Sequence, residues 1–293
     1  MRVVVTGATG HLGRALTRQL EAKGHEVAAL SSTLRLEDDS SVAALAAALE
    51  DGQARGRAAL VHLAAWHPPM TASTSASDRR RLLDVNVMGT MRMLEAAREG
   101  RVLSVVYASS FEVYGTPASP TIDEDHPTRP LTDYGATKLA GEDHLLAFAF
   151  EESTRVVALR MPAVYGPGEK TPRLLPNCLA KVARGERPVI EGDGGDLRDQ
   201  LYVEDAARAL VLALEKEDAS GIYNVADGAA HSVADVARTA MKVAGMSGEP
   251  EVAERRKPRL DYHMSIAKAV RELGFRAEVT LEEGMRRQLE AMR

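Results

Sequence analysis

The sequence predicts an α/β fold, a doubly wound parallel sheet, on three observations. Short apolar runs recur along the first half: Val3 to Val5, Val27 to Leu30, Ala59 to Leu63, Val102 to Tyr107 and Val156 to Leu159. Each is long enough for a buried strand and too short for a helix. Segments of helical spacing separate them, which is the alternation of a parallel sheet. Between the first two runs stand Gly7, Gly10 and Gly13, spaced G-x-x-G-x-x-G. Strand, glycine turn, helix, strand is the Rossmann-type context of a dinucleotide-binding turn.

The glycine turn has a physical rationale. Residues without Cβ let the chain turn tightly and approach a pyrophosphate. The following helix, about Leu12 to Lys23, turns its free N–H groups and positive dipole end toward that anion. Gly7, Thr9, Gly10, His11, Leu12 and Gly13 are therefore the expected cofactor cradle. Gly24 sits where a helix end calls for positive φ.

After Leu30 come Ser31, Ser32, Thr33, Leu34 and Arg35, where a Rossmann strand meets the adenosine ribose. An acid there would bond the 2′-hydroxyl, and none is present. Ser31 and Arg35, with Arg14 nearby, suit the 2′-phosphate of NADP, so the expected cofactor is NAD(P) with a lean to NADP. The alternative is that these are loop residues and NAD binds without its usual acid.

A helix follows over Ser40 to Glu50, and the third strand ends at His62, Leu63, Ala64 and Ala65, small residues that admit a flat cofactor. Trp66, His67, Pro68 and Pro69 form a loop at the C-terminal strand edge, where open α/β sheets bind ligands. Trp66 is read either as a wall of the substrate pocket or as loop packing, and His67 as a solvated loop residue. A long helix is expected from about Asp78 to Arg98, with Asn86 inside it. The fourth strand leads to Ser109, Ser110, Phe111 and Glu112, and a Pro-rich loop precedes a helix opening at Asp133.

Beyond Gly168 the alternation becomes irregular. Helices are expected up to Arg184, over Val203 to Glu215, Val233 to Val243, Ile266 to Leu273 and Leu281 to Met292, with a strand at Ile222 to Val225. The organisation expected is a dinucleotide-binding domain over 1–168 and a smaller, partly interleaved C-terminal substrate lobe over 169–293, some elements of which pack back on the first domain.

Tyr134 and Lys138 stand four residues apart on a helix and share a face. An ammonium beside a phenol favours the phenolate, which lowers a pKa that starts near ~10 and makes Tyr134 a usable general base. Ser110, at a strand end beside the cofactor cleft, can bond the substrate oxygen whose proton Tyr134 exchanges.

At this point the chain resembles the extended short-chain dehydrogenase/reductases, in the NAD-dependent epimerase/dehydratase group. The resemblance rests on the glycine turn, His62 to Ala65, Asn86-Val87-x-Gly89-Thr90, Ser109-Ser110-x-Glu112-Val113-Tyr114-Gly115 and Tyr134-x-x-x-Lys138. Val164 to Gly168, Arg198-Asp199 and Tyr223 to Val225 extend it into the second lobe. It implies catalytic roles for Ser110, Tyr134 and Lys138, contact of Lys138 with the nicotinamide ribose, and a grip on the substrate's diphosphate by Arg198. Phe111 and Trp66 would border the substrate. Glu112 corresponds to an elimination base or, equally, to a structural carboxylate. Ala163 stands where the family usually has Asn, and the second strand lacks its acid.

The resemblance implies oxidation of a hydroxyl on a sugar or sugar nucleotide, most simply in a nucleotide-sugar epimerase. The alternatives are a net NADP(H)-dependent dehydrogenase or ketone reductase on a small carbonyl or polyol, and a non-catalytic NAD(P)-binding sensor. It also implies a homodimer through the helices around 78–98 and 134–151, with Met88, Met91, Met93, Leu145, Leu146 and Phe148 offering apolar area.

Composition bounds the rest. The 293 residues are 45% hydrophobic and 27% charged, with net charge −5. That is ordinary for a globular chain and a poor match to nucleic acid. Cys178 is the single cysteine and excludes an intrachain disulfide, which fits a reducing cytosol. No stretch is apolar enough to span a bilayer, and the first apolar run is too short for a signal peptide. No metal site is expected.

Overall fold

The computed structural model describes residues 1–30, 35–50, 58–69, 74–119, 121–256 and 258–292. In chain order the first half runs β1 (Arg2–Thr6), α1 (His11–Ala22), β2 (Glu26–Leu30), α2 (Ser40–Glu50), β3 (Ala58–His62), α3 (Ala76–Leu82), a π-helical turn (Leu83–Met88), α4 (Gly89–Glu99), β4 (Ser104–Ser110), α5 (Asp133–Glu152) and β5 (Arg155–Met161). The second half runs β6 (Ala163–Tyr165), α6 (Leu174–Ala183), β7 (Val189–Glu191), β8 (Leu197–Arg198), β9 (Gln200–Tyr202), α7 (Val203–Glu215), β10 (Gly221–Asn224), β11 (His231–Ser232), α8 (Val233–Val243), β12 (Glu251–Ala253) and α9 (Leu281–Glu290).

The main sheet has six strands in the order β10-β5-β4-β3-β1-β2. Every pairing in it is parallel. The chain reverses direction across the sheet between β1 and β3, the switch point where such sheets bind ligands beyond the carboxyl ends of their strands. Strand residues alternate between two apolar layers. Val3, Val5, Val61, Val106 and Val157 pack with α1 and α7 on one face. Val4, Leu60, Val105 and Val156 pack with α2, α4 and α5 on the other. That is the doubly wound Rossmann-type architecture the strand–helix alternation predicts.

β10 and α7 lie beyond residue 168 in sequence, yet β10 pairs with β5 and α7 packs on α1. The remaining C-terminal elements form small sheets, β6 with β9, β7 with β12 and β8 with β11. The two halves of the chain therefore interleave at the sheet.

The expected long helix over 78–98 runs without interruption through α3, the π turn and α4, and the π turn widens it in the middle. A capping box of Ser75 and Asp78 starts α3. The π turn over Leu83–Met88 then carries Asn86 inward, where it is 1% exposed. Such widened turns cost helical hydrogen bonding and occur mostly where a side chain has a special task. Among the described residues no helix is long and apolar enough to cross a membrane.

Candidate active site

The glycine turn is shaped by contacts that exclude a side chain. Gly7 has φ of 72°, and a Cβ there would lie 2.8 Å from the Ala64 nitrogen. A Cβ on Gly13 would lie 2.2 Å from the Gly7 carbonyl oxygen. Gly10 caps α1 without any side-chain bond, so the first-turn N–H groups keep no intrahelical partner. Gly7, Gly10, His11, Leu12 and Gly13 line a cavity of 260 Å³. This cradle, which a Cβ would fill, fits the pyrophosphate of a nicotinamide dinucleotide.

The same cavity is lined from the far side by Ser110, Phe111, Glu112, Tyr134 and Lys138, with Leu63 and Ala65 between. Ser110 ends β4, and its Oγ accepts the Glu112 backbone N–H at 3.2 Å. That leaves the Ser110 proton free to donate. Thr132 caps α5 by accepting the Gly135 N–H at 2.9 Å and donates its own proton to Glu112 Oε2 at 2.6 Å. Glu112 therefore ties the helix that carries Tyr134 to the turn after β4.

Lys138 lies deeper than its spacing suggests. Its Nζ donates to the Ala108 carbonyl at 2.8 Å and lies 4.7 Å above the Tyr107 ring, against 5.8 Å for the Tyr134 ring. Burial pushes its pKa down to about 7, with Glu142 pulling upward. The expected lowering of the Tyr134 phenol does not occur here. Burial raises that phenol and Glu112 raises it further, with Arg173 alone pulling it down.

A buried polar chain runs beneath. Thr90 donates to the Asn86 carbonyl at 2.7 Å, so its oxygen is the acceptor for His62 Nε2 at 3.1 Å. His62 Nδ1, 2.6 Å from Thr6 Oγ1, is then the bare nitrogen that receives the Thr6 proton. Burial, followed by the Lys138 charge, lowers the His62 pKa to about 3. Asn86 Oδ1 accepts the Trp66 N–H at 2.7 Å, while its Nδ2 donates to the Trp66 carbonyl at 2.9 Å and to Thr137 at 3.1 Å. Thr137 donates to the Tyr134 carbonyl at 2.8 Å. One side chain thus fixes the loop after β3 against α5.

Several expectations need correcting. His67 is half-buried and packs on the Tyr134 ring at 4.6 Å, so it is no solvated bystander. Trp66 is half-buried in the loop after β3, where Asn86 holds its N–H and its carbonyl. It lines a cavity of 310 Å³ on the other side of the glycine turn, with Thr9, Ala64, Glu37 and Arg81. Arg35 is exposed and does not line that cavity, because the chain turns at Leu36 and buries it instead. Ser31 lies outside the described residues. In the sequence Arg81 belongs to the short basic run Arg79 to Arg81, read as a solvated helix start, and Glu37 adjoins no recognisable motif.

Phe111, Glu112 and Arg198 line a further cavity of 310 Å³ together with Ala163, Leu174, Asn177 and Tyr262. Arg198 Nη1 donates to the Leu197 carbonyl at 2.7 Å and to the Leu260 carbonyl, and its Nη2 lies 3.8 Å from Asp196. Arg173, a second cation, lines both this cavity and the one beside Tyr134. Burial raises the Asp199 pKa to about 6 at the same wall.

The glycine cradle and Tyr134 line one cavity, and a second adjoins it through the shared residues Phe111, Glu112 and Arg173. The NAD dependent epimerase/dehydratase family model matches residues 3–226. The chain belongs to that family. It is 31% identical to a UDP-glucose 4-epimerase of Mycolicibacterium smegmatis, over 100% of this chain and 99% of the relative. It is 30% identical to a dTDP-glucose 4,6-dehydratase of Streptomyces griseus, over 97% of this chain and 91% of the relative. Among solved structures, a Thermus thermophilus UDP-glucose 4-epimerase in complex with NAD superposes with a TM-score of 0.82 at 30% identity, covering 99% of this chain and 98% of that one. The family's redox cofactor is a nicotinamide dinucleotide, the group the glycine cradle fits.

Proposed function

We propose that this chain oxidises a hydroxyl of a nucleotide-activated sugar and returns the hydride to the resulting ketone, as a nucleotide-sugar epimerase. The observation that carries the reading is the meeting of Ser110, Glu112, Tyr134 and Lys138 with the glycine cradle around one cavity. The nicotinamide, when bound, supplies the hydride acceptor. Tyr134 takes the hydroxyl proton and gives it back on the return step. Ser110 donates its free proton to the same substrate oxygen. Lys138 holds the nicotinamide ribose, and Arg173 offsets part of the burial that raises the phenol.

On the substrate side, Phe111 borders the sugar, and Arg198 with Arg173 faces the diphosphate. Glu112 is held by Thr132, which favours the structural over the elimination role. At the adenosine end, NADP is the preferred form, carried by a cation at that cavity.

A second copy of the chain covers the outer face of α4 and α5. Met88, Met91 and Leu146 are 42%, 41% and 42% exposed there, and Phe150 is 90% exposed. Met93, Leu145 and Phe148 are buried within the chain itself and offer that interface nothing. The compartment is the cytosol, where the buried Cys178 thiol stays reduced.

The test is incubation with UDP-glucose and with dTDP-glucose, followed by nuclear magnetic resonance of the sugar ring. A C4 epimer without net cofactor consumption supports the reading. Loss of water from the sugar points to a dehydratase. Stoichiometric oxidation of NADPH by small carbonyl compounds, with neither sugar altered, replaces it with a net reductase.

A further inference from the structure

Lys138 is 2% exposed. Among the described residues its Nζ makes one hydrogen bond, the one it donates to the Ala108 carbonyl at 2.8 Å. A buried ammonium with three donors needs more than that. Ring faces supply the rest. Tyr107 precedes Ala108 on β4, and its ring centroid lies 4.7 Å from Nζ, nearer than the Tyr134 ring at 5.8 Å. The negative face of an aromatic ring attracts a cation within about 6 Å, most strongly where water is excluded.

The Tyr107 ring is held from several sides. It is 1% exposed. His62, its register partner on β3, stacks on it with centroids 5.6 Å apart and planes inclined by 25°. Gly141, on α5, leaves room for the hydroxyl, since a Cβ there would lie 2.4 Å from Tyr107 Oη. The other titratable groups around the ammonium add little. Burial, with the Lys138 charge, keeps His62 neutral, and burial keeps the Tyr134 phenol neutral. Glu142, one turn farther along α5, favours the charged lysine. Its carboxylate already accepts from Arg160 at 2.7 Å and from Ser109.

We propose that Tyr107 is a positioning residue for the reaction: its ring face holds the Lys138 ammonium at the Ala108 carbonyl in the charged form, with two N–H groups left for the cofactor's ribose. This rests on the nicotinamide reading above. Burial brings Lys138 down to about 7, so a small loss of ring attraction changes its charge near neutral pH.

The first readout needs no turnover. Protein with isotope-labelled lysine side chains is titrated by nuclear magnetic resonance, and the Lys138 signal is assigned by its loss in Lys138→Gln. Tyr107→Phe is expected to keep the Lys138 midpoint within about 0.3 pH units, and Tyr107→Leu to lower it by about 0.5–1.5. Phenylalanine analogues of increasing ring fluorination at position 107 keep the shape of the ring and drain its negative face, so they lower the midpoint in steps. This series decides even where Tyr107→Leu does not fold. In turnover of a nucleotide sugar, the fall in kcat at rising pH moves to lower pH in the same order, because the charged form is lost as pH rises through the midpoint. A midpoint that fluorination leaves in place, or that Tyr107→Phe lowers as far as Tyr107→Leu, overturns the assignment and leaves the nicotinamide reading standing. A wild type that binds no nicotinamide cofactor and turns over no sugar overturns that reading instead, while the midpoint still decides the role of the ring.

Discussion

His67 lies against Tyr134, with ring centroids 4.6 Å apart and planes inclined by 50°. The His67 Nδ1 is 2.6 Å from the Pro68 carbonyl. A carbonyl only accepts, so Nδ1 carries a proton and donates it to Pro68. Pro68 and Asn86 together fix the loop that presents this ring.

The first prediction concerns that contact. An aromatic pair contributes about 0.5–1.5 kcal/mol. His67→Ala is expected to lower kcat by roughly threefold to tenfold with little change in cofactor Kd. His67→Phe, which keeps a ring without the nitrogens, recovers most of the loss if packing is the contribution. Steady-state kinetics on both variants decides it.

Asn86→Ala leaves the Trp66 N–H and carbonyl without their side-chain partner and removes one of the two bonds of the Thr137 hydroxyl. Removing one side of a buried hydrogen-bond set costs about 1–3 kcal/mol. The expected result is a lower denaturation midpoint together with weaker cofactor binding, because the freed loop forms one wall of the adenosine-side cavity. Unchanged Trp66 emission and unchanged stability would show that the clamp is dispensable.

Gly13→Ala places a methyl 2.2 Å from the Gly7 oxygen and 2.7 Å from Ala8. Backbone must shift to admit it, and the backbone in question is the cradle. Cofactor binding is expected to fall at least about tenfold, since a misplaced turn loses several N–H contacts at once. Calorimetry with NADPH measures it.

His62 makes stability depend on pH. Its folded pKa, about 3, lies below the ordinary 6.5. Between those values the unfolded chain binds a proton that the native state refuses, so stability falls as pH drops from 6.5 toward 3. His62→Gln is expected to cost about 1–3 kcal/mol at neutral pH and to lose less on acidification than the wild type. Parallel slopes for the two proteins across that window, followed by thermal melts, would place the acid sensitivity elsewhere.

Much of this arrangement was legible in the residues. The spans of α2, α7 and α8 and the core of each main strand follow from apolar spacing, because each buries one face, α2 and α7 beside the sheet and α8 against α6 and α9. The glycine turn and the Tyr134–Lys138 pair were legible for a different reason, since each depends on short spacing within one element. Asn86 stands in a legible motif, but its clamping role was not legible, because a π turn looks like a helix in sequence and its bonds to Trp66 and Thr137 are tertiary. The charge of Lys138 was misread for the same reason: spacing put it beside Tyr134, while depth turned it to the Ala108 carbonyl.

The most direct test of the central claim is turnover of a nucleotide sugar by Tyr134→Phe beside the wild type, with cofactor affinity followed by Trp66 emission. Loss of a general base predicts a fall in kcat of about 10²–10⁴-fold at unchanged cofactor Kd. Unchanged turnover by the variant would contradict the account, since no proton could then be passing through Tyr134.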